Sequence, residues 1–177
     1  MMFYDKSNRE LFIKPLTKQM ALIYSDKLLN LLSLIPYIHP NIEELFMERN
    51  PNYSKWKHSL GVFDQSGELI GVLLAYYREK DEQHTFNSLY IHRLAIDKRY
   101  QRSGIATEVI KFFIESSFHS NTHIEQISIQ TNYEINNQYV IDFYKKIGFE
   151  EKYLIQYPNK LDILMSLSRS EYSLNCF

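Results

Sequence analysis

The chain has one cysteine, Cys176, in 177 residues, so no disulfide can form within it. Its position one residue from the C-terminus reads as a frayed tail, not a nucleophile. There is no excess of charge either. The formal net charge is −1, which gives no electrostatic reason to expect nucleic acid or an anionic membrane as a partner. No apolar run is long enough to span a bilayer, and Met1-Met2-Phe3-Tyr4-Asp5 lacks a signal-peptide layout. The expected setting is reducing and cytoplasmic. Repeats and low-complexity segments are missing. So are the three-glycine dinucleotide fingerprint and the Gly-Lys-Ser/Thr of a P-loop.

What remains is ordinary for a globular protein: 45% hydrophobic and 23% charged, with 14 Tyr and 11 Phe available to fill a core and line a pocket. This length predicts one domain over residues 1–177, with a core at about 10–168 and a tail at 169–177. The pattern is organised around residues 88–117. Leu89, Tyr90, Ile91, Leu94 and Ile96 form an apolar, β-branched and aromatic run that predicts a strand. A polar, basic loop containing Gly104 follows. Ile105, Val109, Phe112 and Phe113 then recur at helical spacing, with Glu108, Lys111 and Glu115 on the other side. A strand leading through a glycine loop into a helix converges backbone N–H groups on one point. With the positive end of the helix dipole, they suit an anion such as phosphate. Arg93, Lys98, Arg99 and Arg102 predict a basic patch beside that loop.

The rest of the chain falls into recognisable elements. A short strand at 11–15 is ended by Pro15. Thr17 caps a long helix running from Met20 through Leu32 and ending before Pro36. Pro40 and Asn41 open a second helix with an acidic face of Glu43, Glu44 and Glu48, read as solvated. After a loop at Asn50-Pro51-Asn52, strands are expected at 60–63 and 69–77 around an Asp64-Gln65-Ser66-Gly67 turn. The second of these is nearly all apolar and so covered on both faces. Residues 78–87 form a polar loop. A strand at 124–130, a helix at 137–147 capped by Gly148, and a hairpin of 149–157 with 161–168 complete the chain.

Two motifs carry a family resemblance. Gln101-Arg102-Ser103-Gly104-Ile105-Ala106 resembles the Gln/Arg-x-x-Gly-x-Gly/Ala acetyl-CoA signature of the GNAT acetyltransferase superfamily. Asn137, then Tyr144, then Gly148-Phe149 resembles a second GNAT pattern, with Val140 where Ala is usual. The expected element order, β, αα, ββ, β, α, β, α, ββ, matches the GNAT order over roughly residues 10–168. The resemblance implies an α/β (α+β) fold with a central mixed, mostly antiparallel sheet flanked by helices. It also implies a V-shaped splay between the fourth and fifth strands.

It further implies acetyl transfer from acetyl-CoA to an amine by direct attack, without a metal. Cofactor binding would fall to Gln101, Arg102, Ser103, Gly104, Ile105 and Ala106, to Leu94, Ala95 and Ile96 along the fourth strand, and to Asn137 and Tyr144. Seven residues separate Asn137 from Tyr144, two helical turns, so both lie on one helix face. Tyr144 would protonate the departing thiolate; as alternatives, it is a core tyrosine and Asn137 an N-cap. The acceptor ammonium needs a base, because an alkyl amine is almost wholly charged at neutral pH. The strand holds no carboxylate before Asp97, but it holds His92, on one face with Tyr90. The competing role for His92 is packing over the adjacent strand. Arg93 points the other way and reads as structural. The acceptor is a small-molecule amine or a peptide or protein amine; homodimerisation stays open. A different class, an acyl-CoA-binding sensor of the same fold without turnover, is distinguished by a thiol-release assay. An α/β domain without any CoA link would show no CoA-dependent rise in Tm.

Overall fold

A computed structural model describes residues 1–35, 40–48, 54–80 and 86–175. Its strands are β1 (Met2–Tyr4), β2 (Glu10–Pro15), β3 (Leu60–Asp64), β4 (Leu69–Arg78), β5 (Ser88–Ile96), β6 (Gln126–Asn132), β7 (Glu150–Tyr157) and β8 (Lys160–Ser168). Its helices are α1 (Lys18–Ile23), α2 (Ser25–Leu32), α3 (Ile42–Phe46), α4 (Ile105–Ser120), α5 (Gln138–Ile147) and α6 (Arg169–Asn175). The strands form one sheet in the order β1-β2-β3-β4-β5-β6-β8-β7. The ladders β1–β2, β2–β3, β3–β4, β6–β8 and β7–β8 are antiparallel, and β5–β6 is parallel. A parallel pair needs a long crossover, which here is α4. The sheet is therefore mixed and mostly antiparallel, with helices on it, as expected.

The parallel ladder is short. It pairs Ser88–Ile91 with 126–129, from Ser88↔Gln126 to Ile91↔Ile129, while β5 runs on to Ile96. This is where the resemblance implies the splay. The chain divides at the same point into two compact units: residues 1–77 with 92–113, and residues 78–91 with 114–177.

In the first unit the core lies among Leu28, Leu31, Leu45, Trp56, Phe63 and Leu69, with Ala95 of β5. Every residue of β4 before Arg78 is buried, as its unbroken apolar run requires. Helix starts follow their caps: Thr17 Oγ1 accepts from the Met20 N–H, and Asn41 Oδ1 from the Glu44 N–H. The single long helix expected after Thr17 is two helices. The chain breaks at Tyr24, whose ring packs edge-on against Phe63 and whose hydroxyl donates to the Gly67 carbonyl at 3.2 Å. Of the acidic face expected there, Glu43 and Glu44 lie on α3, whereas Glu48 lies beyond its end and accepts from Ser54 Oγ and from the Lys55 N–H. Strand β1, which no pattern announced, adds an edge to β2. The expected stop before Pro36 and the loop at Asn50-Pro51-Asn52 lie outside the described residues, as does Cys176.

In the second unit Leu89, Ile127, Ile129, Ile141, Met165 and Leu167 are buried. The chain does not end its structure at Ser168. Ser168 and Glu171 form a reciprocal capping box: Glu171 accepts from the Ser168 N–H at 2.7 Å, and Ser168 Oγ from the Glu171 N–H at 3.1 Å. Arg169 at the start of α6 then donates to the carbonyls of Phe118, Asn121 and Ile124, satisfying groups at the end of α4.

Candidate active site

The first unit carries the strand, loop and helix. After Ile96 the chain leaves β5, and the Asp97 N–H donates to the Ile70 carbonyl at 2.8 Å, holding the exit to β4. Ala95 and Ile96 are buried and pack tightly on Gly71 of β4. Asp97 is the hub of an ion-pair network. Its carboxylate meets Arg99 at 2.8 Å and Lys27 of α2 at 3.2 Å, and Glu68 meets the same two cations at 2.7 and 2.6 Å. The Arg99 hydrogen bonds, with help from Lys27, hold the Asp97 carboxyl well below the usual carboxylate range. This corrects the basic patch expected from sequence: the charge of Arg99 is paired with Asp97 two residues before it and with Glu68 from before β4. The Arg93 guanidinium, for its part, donates to the His92 carbonyl at 2.8 Å.

The loop at 101–106 is held by its own side chains. Gln101 Nε2 donates to the Ile96 carbonyl at 2.8 Å, and buried Ser103 donates from Oγ to the Tyr100 carbonyl. The Tyr100 hydroxyl donates to Asp64 at 3.0 Å. Two residues take positive φ, Arg102 at 59° and Gly104 at 90°. Gly104 is needed for that backbone, because L side chains rarely adopt such a φ. Its carbonyl accepts from the Glu108 N–H, starting α4. Ile105 is buried, which anchors the helix start, and Ala106 is half-buried. The N–H groups of the first turn of α4 have no intrahelical acceptor, so they can serve a phosphate. Thus the side chains of Gln101 and Ser103 build the loop, and its backbone is what remains for a ligand.

His92 is half-buried on β5, and its ring meets Tyr76 of β4 edge-on with centroids 5.8 Å apart. Leu94 is half-buried two residues on.

Asn137 and Tyr144 belong to the second unit. Asn137 takes the N-cap position of α5, but its side chain does not cap. Its amide nitrogen instead donates to Thr131 Oγ1 at 2.9 Å and to the Asn132 carbonyl at 2.7 Å, tying α5 to the end of β6. Tyr144 is buried in an aromatic setting, edge-on to Phe143 and to Phe149 with centroids 5.1 and 5.4 Å apart. Gly148, with φ 110°, ends α5 in the left-handed region, and the Phe149 N–H returns to the Tyr144 carbonyl. The Gly-Phe pair thereby seats Phe149 on Tyr144. Burial pushes the Tyr144 hydroxyl well above the usual tyrosine range, and neighbouring Tyr90 of β5 raises it further. Tyr90 in turn lies under the Arg78 guanidinium, 4.3 Å from its ring centroid. The sequence marks Tyr90 as a strand residue on one face with His92; its effect on Tyr144 has no local signal.

Among the described residues, no group of three or more His, Cys, Asp or Glu side chains is placed to hold a metal ion. No helix there is long and apolar enough to cross a membrane.

Solved structures share this fold. A ribosomal-protein alanine N-acetyltransferase from Escherichia coli aligns with a TM-score of 0.68 at 13% identity, over 89% of this chain and 93% of that one. The NatC complex bound to Gag peptide and CoA gives 0.69 at 18% identity, over 89% and 98%. A spermidine/spermine N-acetyltransferase from Vibrio cholerae, in complex with manganese ions, gives 0.64 at 17%, over 94% and 97%. No curated protein sequence matches the chain. The family model for the acetyltransferase (GNAT) family matches residues 26–149, most of the chain with both motifs inside the match, and the chain belongs to that family.

Proposed function

We propose that this chain is an N-acetyltransferase that moves the acetyl group of acetyl-CoA to a primary amine by direct attack. The observation that carries the reading is the loop at 101–106. It leads from β5 into α4 with positive φ at Arg102 and Gly104, and the side chains of Gln101 and Ser103 are turned to its own scaffold. Such a loop offers backbone donors to a pyrophosphate, and Gly104 allows close approach. Acetyl-CoA supplies the activated acyl group as a thioester. The backbone of Leu94, Ala95 and Ile96 would pair with amides of the pantetheine arm, and N–H groups there would stabilise negative charge developing on the thioester oxygen.

Tyr144 would serve the leaving thiolate. Its raised pKa keeps the hydroxyl protonated at every physiological pH. A phenol so far above a thiol, whose ordinary value is about 8.5, does not give its proton up fully. Tyr144 therefore acts chiefly as a hydrogen-bond donor to the departing sulfur. His92 would take the proton from the acceptor ammonium, with Tyr76 supporting its ring. Asn137 would position α5 through its two bonds to β6 rather than touch the cofactor through its amide nitrogen.

The acceptor class is open between small-molecule amines and peptide amines, in keeping with the range among the fold's solved members. The test is a turnover screen with acetyl-CoA against polyamines, aminoglycosides, amino acids and peptides, read as thiol release. Acetyl-CoA-dependent turnover of at least one amine is expected. Tight CoA binding without turnover of any acceptor would make the protein a binding module instead.

A further inference from the structure

The loop at 101–106 has a neighbour that no motif contains. The turn joining β1 to β2 lies against it. The turn is rigid: buried Asp5 accepts from the Ser7 and Arg9 N–H groups, both at 2.9 Å, and pairs with the Arg9 guanidinium at 2.6 Å. Asn8 takes φ 60° to close it. The turn is docked by three contacts. The Lys6 N–H donates to the Ser103 carbonyl at 3.0 Å, Arg9 donates to the Arg99 carbonyl at 3.3 Å, and the Arg9 guanidinium stacks over Tyr100 at 4.2 Å. The Lys6 stem then runs over Gly104. A Cβ built on that glycine would lie 3.5 Å from Lys6 Cε and 3.6 Å from Cγ, ordinary contact distances. Lys6 thus lies in van der Waals reach of the point where a side chain at 104 would begin, and it is an exposed residue that carries an ammonium.

Charge makes this placement informative. Arg9 and Arg99 nearby are neutralised in place, Arg9 by Asp5, and Arg99 by Asp97 and Glu68. Among the described residues, the exposed side chains of Lys6, Lys98 and Arg102 have no ion-pair partner. Such cations beside the free N–H groups of a helix start raise the local potential, a setting that favours an anion of more than one charge. Lys6 also lies outside residues 26–149, where the family match falls.

We infer that Lys6 is a phosphate-binding residue of the acyl-donor site, delivered to the loop by the β1–β2 turn. This rests on the assignment of the loop to acetyl-CoA. The ammonium contributes as a charged donor to a phosphate oxygen, while the stem packs on Gly104.

The experiment is calorimetric titration of the full chain with acetyl-CoA and with its 3′-dephospho form, for wild type and for Lys6→Met, Lys6→Glu and Lys6→Arg. Methionine keeps an apolar stem of similar length and removes the charge. The Kd for acetyl-CoA should rise about fivefold in Lys6→Met, as for loss of one exposed charge-assisted contact, and further in Lys6→Glu; Lys6→Arg should stay near wild type. The salt dependence of binding should flatten in Lys6→Met. Amine KM and Tm should not move. Wild type and Lys6→Met binding the dephospho form equally would assign Lys6 to the 3′-phosphate; an unchanged fivefold gap would assign it to the pyrophosphate. Unchanged affinity in both Lys6→Met and Lys6→Glu, with Gly104→Asp still abolishing binding, would overturn the role of Lys6 alone. No binding of acetyl-CoA by wild type would overturn the loop assignment and the role of Lys6 together.

Discussion

The loop at 101–106 and the Tyr144 region answer opposite physical demands. Around the loop, polar side chains and ion pairs hold a backbone in place: Gln101 on Ile96, Ser103 on Tyr100, Asp97 on Arg99 and Lys27. Around Tyr144, Phe143 and Phe149 supply a dry aromatic wall, and α5 is anchored by Asn137 and Gly148. An anion site must leave its donors facing water until the ligand arrives, so its rigidity comes from groups that are not themselves ligands. A proton donor must hold its proton at neutral pH, so burial helps it. On the proposed roles, the first region should be sensitive to backbone changes, and the second to loss of one hydroxyl.

The sharpest way to break the first half of this contrast is Gly104→Asp. At φ 90° the aspartate is strained, and its charge opposes a phosphate. Acetyl-CoA binding should be lost in a folded protein, as read by calorimetry beside a circular dichroism melt. Retained affinity in that folded variant would move the cofactor away from the loop.

Tyr144→Phe tests the second half. The aromatic wall tolerates the swap, so the fold and cofactor affinity should hold. On the role proposed for Tyr144, chiefly a hydrogen-bond donor, the kcat should fall by about 10²-fold, the low end of the ~10²–10⁴ range for proton donation. A full-rate variant, assayed where chemistry limits turnover, would reduce Tyr144 to packing.

Burial acts on a base in the opposite direction from an acid, and His58 in the first unit shows it. Burial, with the nearby Lys57 charge, pulls His58 down to about 4 from its ordinary 6.5. The folded protein holds His58 neutral, while the unfolded chain binds a proton once the pH drops below 6.5. Stability is therefore full above pH 6.5 and is lost as the pH falls toward 4. Urea unfolding of wild type and His58→Gln at pH 7 and 5 measures this. The variant should lose less stability between the two pH values; equal losses would remove His58 as the cause.

The smallest expected effect is at His92. If it takes the acceptor proton, kcat/KM rises with pH through an enzyme ionisation near neutrality, and His92→Asn flattens that limb. An aryl amine acceptor, neutral in that range, removes the amine's own titration from the profile. With it, an identical profile in the variant would leave His92 as a packing partner of Tyr76 and assign the proton to water.

Local patterns determined much of this molecule. The apolar run of β4, the Thr17 and Asn41 caps, the turn at 64–67 and the Gly148 stop all depend on side chains within a few residues of one another, and each stands where the pattern put it. The loop at 101–106 was legible for the same reason, since strand, glycine and helix are contiguous. The capping box at Ser168 and Glu171 was equally local and could have extended the chain past its expected tail. Tertiary structure decided the rest, because it depends on groups far apart in sequence. Tyr24 breaks a helical pattern to reach Phe63, and the charge of Arg99 is paired with Glu68 and Asp97. Tyr144 gains its shift from burial and from Tyr90, and Lys6 meets Gly104 only because β1 folds back along β2. Propensity and capping are short-range energies that a sequence displays directly; burial and charge pairing are set by which surfaces meet.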